Sequence, residues 1–170
     1  MPQLATRQRT REVRTLVNDT TQYLTCSVGD ETFAIAVAQV REVLDVCPFT
    51  KIPNLPPFVR GMIDVRGRAV PVVDLRLKFG LPPAEVTDHT RIIVLEVVIG
   101  ARSMVMGALT DRVFEVTALD PGEMEPPPDI GMRWRSEIIR GIGRRHHHFV
   151  IVLSLNKLFS LEDVTSAGGH

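Results

Sequence analysis

The chain has 170 residues, 44% of them hydrophobic and 24% charged, and its 20 basic and 20 acidic side chains leave no formal net charge. That length suits one compact domain or two small intertwined ones, and the neutral balance gives no global pull toward phosphate or anionic lipid. With only seven Phe, one Trp and one Tyr, an aliphatic core is expected and a base-stacking nucleic-acid platform is not.

Residues 1–21 carry Arg7, Arg9, Arg11 and Arg14 and lack the apolar stretch of a secretory leader, so a flexible basic tail is expected there. Tyr23–Val28 and Thr32–Val37 flank Gly29-Asp30-Glu31 and read as a β-hairpin. From Ala38 to Val46 the period changes. Val40, Val43 and Leu44 recur at spacings of three and four, which predicts one or two turns of amphipathic helix ended by Pro48. Pro53, Pro56 and Pro57 make Lys51–Pro57 an irregular connection. Gly61–Arg66 and Ala69–Leu75 flank Gly67-Arg68 as a second hairpin. Pro71 cannot donate to a ladder and predicts an edge or bulge position for its strand.

Arg76–Phe79 reads as a short turn closed by Gly80, and Leu81–Asp88 as a loop. Arg91–Ile99, Ser103–Leu109 and Val113–Leu119 read as three strands. Pro121–Gly131, with four prolines and three acidic residues, reads as an exposed loop. Two strands, Ile138–Ile142 and Phe149–Leu153, a short helix at Leu155–Phe159 and a flexible tail over residues 161–170 complete the chain. Nine or ten short strands with minor helices argue an all-β barrel or sandwich, and no strict repeat is visible. No apolar run approaches the ~18 residues of a membrane span, so the cytoplasm is the expected compartment.

Chemistry is hard to find in this pattern. Cys26 and Cys47 have no metal-ligand spacing and make no disulfide framework. His146-His147-His148 are adjacent, so on a strand they point to opposite faces, and Arg144 and Arg145 beside them disfavour a cation; a solvated hairpin tip is the better reading. There is no G-x-S-x-G elbow and no glycine-rich phosphate loop. Asp64, Asp74, Asp111 and Asp120 sit near strand ends or turns, where capping accounts for them. No catalytic, metal or cofactor residue is assigned. A β-barrel enzyme, the rival reading, would have to use His89, His146 and these aspartates.

The densest segment is Ile52–Gly80, which reads IPNLPPFVRGMIDVRGRAVPVVDLRLKFG. It resembles the signature of the CheW family, the adaptors of bacterial chemotaxis arrays. The Gly29–Ile35 hairpin, Val40-Arg41-Glu42-Val43 and Val150–Leu153 sit in matching places, so the resemblance covers residues 22–160. It implies an all-β fold with short helices: two intertwined SH3-like five-stranded β-barrels with an apolar groove between them. It implies no catalysis and no cofactor. The implied partners are the regulatory domain of a CheA-like histidine kinase and the cytoplasmic tip of a chemoreceptor, at membrane-associated arrays, with no nucleic acid and no direct membrane insertion. An adaptor of a non-flagellar pathway, for pili-based motility or development, is the alternative within the family.

By the same resemblance, Val40, Glu42, Val43, Gly61, Val65, Arg66 and Gly67 fall at partner-contact positions. Gly61 and Gly67 read better as structural, supplying tight turns or close backbone approach. For Arg66 two readings stand open. Its guanidinium can bond a partner's carboxylate or carbonyls in a fork, or it can pair internally with Asp64 or Asp74 and pin a turn. Asp64-Val65 replaces the family's usual Asn-Leu and adds a charge able to pair with Arg66 or Arg68. The Pro121–Asp129 loop is also atypical.

Overall fold

The computed structural model describes residues 21–127 and 136–159. The expected tails, apart from Thr21 at the start of the first strand, and Pro128–Gly131 of the proline-rich loop lie outside these residues. Two antiparallel hairpins open the two halves of the chain. The first is β1 (Thr21–Val28) and β2 (Glu31–Ala36), turning at Gly29 with φ +63°. The second is β6 (Arg91–Ile99) and β7 (Arg102–Thr110), turning at Gly100 with φ +62°. After each hairpin come three more strands and a single-turn helix: β3 (Val40–Asp45), β4 (Val59–Val65), β5 (Arg68–Asp74) and α1 (Leu75–Lys78), then β8 (Arg112–Leu119), β9 (Ile139–Arg145), β10 (His148–Leu153) and α2 (Leu155–Leu158).

The halves exchange their hairpins. One five-stranded sheet has the order β8-β1-β2-β10-β9 and the other β3-β6-β7-β5-β4. Each sheet therefore joins one half's hairpin to the other half's last three strands, through one antiparallel contact, β1 with β8 or β6 with β3, and one parallel contact, β2 with β10 or β7 with β5. Barrel A denotes the first sheet and barrel B the second. The last strands also repeat in sequence. Val59-Arg60-Gly61-Met62 matches Ile139-Arg140-Gly141-Ile142, and Leu75 and Phe79 match Leu155 and Phe159 at the same interval. The repeat is too degenerate to be visible in the sequence, and the shared topology exposes it.

Two expectations are corrected. Residues 38–46 are not a helix: Val37–Gln39 form one 3-10 turn and β3 follows. In β3, Val40, Glu42 and Leu44 are half-buried while Arg41, Val43 and Asp45 are exposed, a period of two. Val40 and Leu44 lie on one face of a strand as they would on a helix. The outward Val43 supplied the false helical spacing. Pro71, in turn, is on an interior strand, since β5 lies between β7 and β4. Opposite it, Met62 turns its N–H and C=O to Thr50, at 2.8 Å each, so that position of the ladder needs no donor from Pro71. The irregularity expected at Pro71 falls on β4, between Val59 and Gly61.

The largest apolar cluster belongs to both barrels. Cys26, Phe33, Ile35 and Leu153 of barrel A pack with Val73, Leu75, Ile93 and Met106 of barrel B. Phe33 on β2 stacks on Phe79 at the end of α1, with centroids 4.9 Å apart. Each fully buried side chain of this size contributes about 1.5–3 kcal/mol. The join between the barrels is therefore core, not loose contact.

Candidate docking surfaces

The barrels close along two seams, and most of the candidate residues lie on the seam of barrel B. There β3, one outer strand, meets β4 and its turn from the other side of the sheet. The β4–β5 turn is Arg66-Gly67, with φ +52° and +82°, the left-handed pair a two-residue hairpin requires. Asp64 Oδ1 accepts the Gly67 N–H at 2.7 Å and holds the turn. The Asp64 carboxylate is thus used on backbone, and the ion pair of Arg66 is with another residue. Arg66 Nη1 lies 3.1 Å from Glu42 Oε2, and Nη2 donates to Oε1 at 3.4 Å. This fork crosses the seam from the turn to β3. Arg66 is 81% exposed and Glu42 24%, so the pair contributes at most about 1 kcal/mol.

The other candidates divide by burial. Val43 is exposed on β3, and Val40 is half-buried against the shared core. Val65 points inward to a cluster with Leu44, Val46 and Phe49. Gly61 has φ +140°, and a Cβ there would stand 2.5 Å from Thr50 O. Its role is the close backbone approach that lets Thr50 bridge to Met62 and shut the barrel. Val43, Glu42 and Arg66 form the accessible part of the set; Gly61, Gly67 and Val65 shape it.

The aspartates do act as caps. Asp74 Oδ1 accepts the Arg76 N–H at 3.0 Å, Asp120 that of Gly122 at 2.9 Å, and Asp111 Oδ2 that of Gly29 at 2.8 Å. Asp74 also faces Arg60 at 3.6 Å. Burial nonetheless raises its pKa, outweighing the lowering by the Arg76 N–H and the Arg60 charge. Burial likewise pushes the Cys26 thiol up to about 12, with the Asp111 charge adding to it. Cys47 is half-buried. The Pro121–Gly131 reading is refined: Glu125 bridges to Ile142 through bonds of 2.9 and 2.7 Å, so this part of the loop is tied to β9. Among the described residues no three His, Cys, Asp or Glu side chains are grouped to hold a metal. Among them, too, no helix is long and apolar enough to cross a membrane.

A second seam escaped the sequence reading. On β8, Val113-Phe114-Glu115-Val116 takes the place that Val40-Arg41-Glu42-Val43 has on β3. Glu115 Oε1 is 2.8 Å from Arg145 Nη2 and 3.9 Å from His146 Nε2, across the seam from β8 to the β9–β10 tip. That tip is His146-His147, with φ +51° and +66°, an exposed turn as expected. Phe114, Val116 and Phe149 are about half exposed around it, and Arg112 and Arg144 lie over the two rings at 5.6 and 5.1 Å. A cleft of about 490 Å³ opens here between Arg112, Phe114, Arg145 and His148. The signal was the V-x-E-V pattern occurring twice.

The fold and its two seams place the chain in a class of paired, strand-exchanged β-barrel domains, each barrel closed with an ion pair across its seam. The model of the CheW-like domain matches residues 22–163. The chain is 29% identical to a chemotaxis protein CheW of Rhizobium meliloti over 93% of this chain and 99% of the relative. It is 30% identical to that of Klebsiella aerogenes, over 84% of each. The crystal structure of the scaffolding protein TtCheW from Thermoanaerobacter tengcongensis superposes with a TM-score of 0.74 at 29% identity, covering 85% of this chain and 95% of that one. The chain belongs to the CheW-like domain family, and its barrels have the SH3-like fold expected of it.

Proposed function

We propose that this protein is a non-enzymatic adaptor that ties the regulatory domain of a CheA-like histidine kinase to the cytoplasmic tip of a chemoreceptor. The observation that carries the reading is the pair of seams. A bridge needs at least two docking surfaces, and this chain has one on each barrel, built alike but with different chemistry. The barrel B seam offers Val43 beside the Glu42–Arg66 fork. The barrel A seam offers exposed Phe114, Val116 and Phe149 among arginines and histidines. Apolar side chains ringed by charge are the chemistry of a protein interface, where the charge sets specificity and the apolar area adds affinity. On this reading Val40, Glu42, Val43 and Arg66 meet a partner, while Gly61, Val65 and Gly67 hold the surface in shape. The adaptor reaches the membrane-associated array through its partners.

Titrating the protein with a receptor-tip fragment and with the kinase regulatory domain tests this. Binding to both is expected, and binding to neither sinks the reading. Arg66→Ala should weaken one of the two affinities at least about fivefold while lowering the melting temperature by no more than about 3 °C, because an exposed pair adds little stability. A melting temperature that falls as steeply as affinity would make Arg66 a pin for its turn and nothing more.

A further inference from the structure

We propose that Arg76 and Asn156, which occupy the same position in the two halves of the chain, are positioning residues that set the angle between the barrels. Each is the second residue of its single-turn helix, Arg76 in α1 of barrel B and Asn156 in α2 of barrel A. Each reaches across to the other barrel. Arg76 Nη1 donates to Asp111 Oδ2 at 2.6 Å, and that same oxygen accepts the Gly29 N–H of the β1–β2 turn. The other arm of the guanidinium, Nε, donates to Pro82 O at 2.9 Å. On the opposite flank, Asn156 Oδ1 accepts the Val98 N–H of β6 at 3.0 Å and Gln39 Nε2 at 3.1 Å.

The acceptor and donor sites match as well. Asp111 lies in the crossover from β7 to β8, where the chain passes from barrel B to barrel A. Gln39 lies in the crossover from β2 to β3, where it passes from A to B. Each clamp therefore joins a helix to the strand exchange on its own flank. Between them lies the shared apolar core, with the Phe33–Phe79 stack inside it. Apolar burial resists separation of the barrels but is itself non-directional. Hydrogen bonds and ion pairs are directional, and at the flanks they act with the longest lever arm. One clamp is ionic and partly shielded from solvent, with side chains 21% and 30% exposed. The other is neutral. A ligand touching both barrels would meet a surface whose angle these two residues hold.

The test reads the angle itself. Spin labels go on Ala101→Cys in the β6–β7 turn and Val116→Cys on β8, both exposed, in a Cys47→Ser background; Cys26 is buried and stays unlabelled. The parent should give one narrow distance distribution at low salt, and high salt should broaden or shift it toward that of Arg76→Gln. Arg76→Gln, Asp111→Asn and Asn156→Ala should each broaden or shift it, and Arg76→Gln with Asp111→Asn together no further than either alone. Added salt should broaden the distribution of Asn156→Ala, which depends on the ionic clamp, and leave that of Arg76→Gln as it is. Arg76→Lys keeps the charge but cannot hold Asp111 and Pro82 together, and an intermediate width is expected. Circular dichroism confirms that each variant is folded. Distributions as narrow as the parent's, with the same mean, in the folded single variants would overturn the proposal.

Discussion

The two seams share a backbone plan and differ in their surfaces. Both place a glutamate of a V-x-E-V strand opposite a cation at a hairpin tip, and in both a bridge from the following segment closes the barrel, Thr50 to Met62 or Glu125 to Ile142. Around that frame the chemistry diverges. The barrel B tip is Arg66-Gly67, with Val43 as the large exposed apolar side chain on β3. The barrel A tip is His146-His147, flanked by two exposed phenylalanines and Val116. Closing a barrel constrains the glutamate, the cation and the bridge, and leaves the outward positions free to vary. One duplicated design can thus present two unlike faces.

The comparison can be broken most sharply at the cysteines. Cys47, in the segment after β3, should react with a thiol reagent in the native protein. Cys26, inside the shared core, should react about a thousandfold more slowly or worse, only through large-scale opening. Its raised thiol pKa has a consequence for stability. The folded state keeps the proton that the unfolded state gives up, so the contribution is complete below pH 9.0 and is lost as pH rises from there toward about 12. Cys26→Ala should flatten that alkaline decline in a urea titration series.

Next in size are the matched glycines. Gly61→Ala combines φ +140° with a Cβ 2.5 Å from Thr50 O, whereas at Gly141 the nearest contact is Glu125 O at 3.3 Å. Urea denaturation should show Gly61→Ala destabilising by about 2–4 kcal/mol and Gly141→Ala by about 1 kcal/mol or less. Equal losses would mean the two closures are equally tight.

The helix caps differ too. Asp74 caps α1 through its side chain, while its counterpart Ser154 makes no such bond to α2. Because the folded Asp74 carboxyl has a raised pKa, its proton stabilises the fold below 3.8, and that gain is lost as pH climbs through the folded value. Asp74→Asn keeps an oxygen for the Arg76 N–H and should remove this acid-side decline, read as melting temperature against pH. The smallest effect belongs to the seam ion pairs. Glu42→Gln and Glu115→Gln should each cost under about 1 kcal/mol, with the loss shrinking in high salt.

Much of the fold was legible because strands with clean turns announce themselves. The Gly29-Asp30 hairpin, the three strands from Arg91 to Leu119 and the final helix stand where turn chemistry and β-branched runs put them, and the second hairpin turns at Arg66-Gly67, one residue before the expected Gly67-Arg68. Residues 38–46 misled because an outward valine on an edge strand imitates helical spacing. Pro71 misled because the ladder gap it needs is provided by Met62, a residue of the neighbouring strand that local sequence does not reveal. At the candidate site, Glu42 and Arg66 were both singled out, but their pairing joins strands that meet only when the sheet curls shut. The barrel A seam was missed for a related reason. Its signal was a repeat, and the repeat is carried by a few identical positions, such as Gly61 and Gly141 or Phe79 and Phe159, set too sparsely to stand out.

The exchange of hairpins also orders the birth of this protein on the ribosome. Barrel B can complete its sheet once Thr110 has emerged, since β3 to β7 are then all present. Barrel A must wait for β9 and β10, although its first hairpin was made at the very start. For the synthesis of more than 40 residues, from Thr110 to Leu153, Phe33 and Ile35 have half a barrel as shelter. Pairings this distant in sequence form slowly, and unpaired apolar edges invite association in the meantime. The nascent chain is most vulnerable in that interval, and the late strands β9 and β10 are the ones that end it.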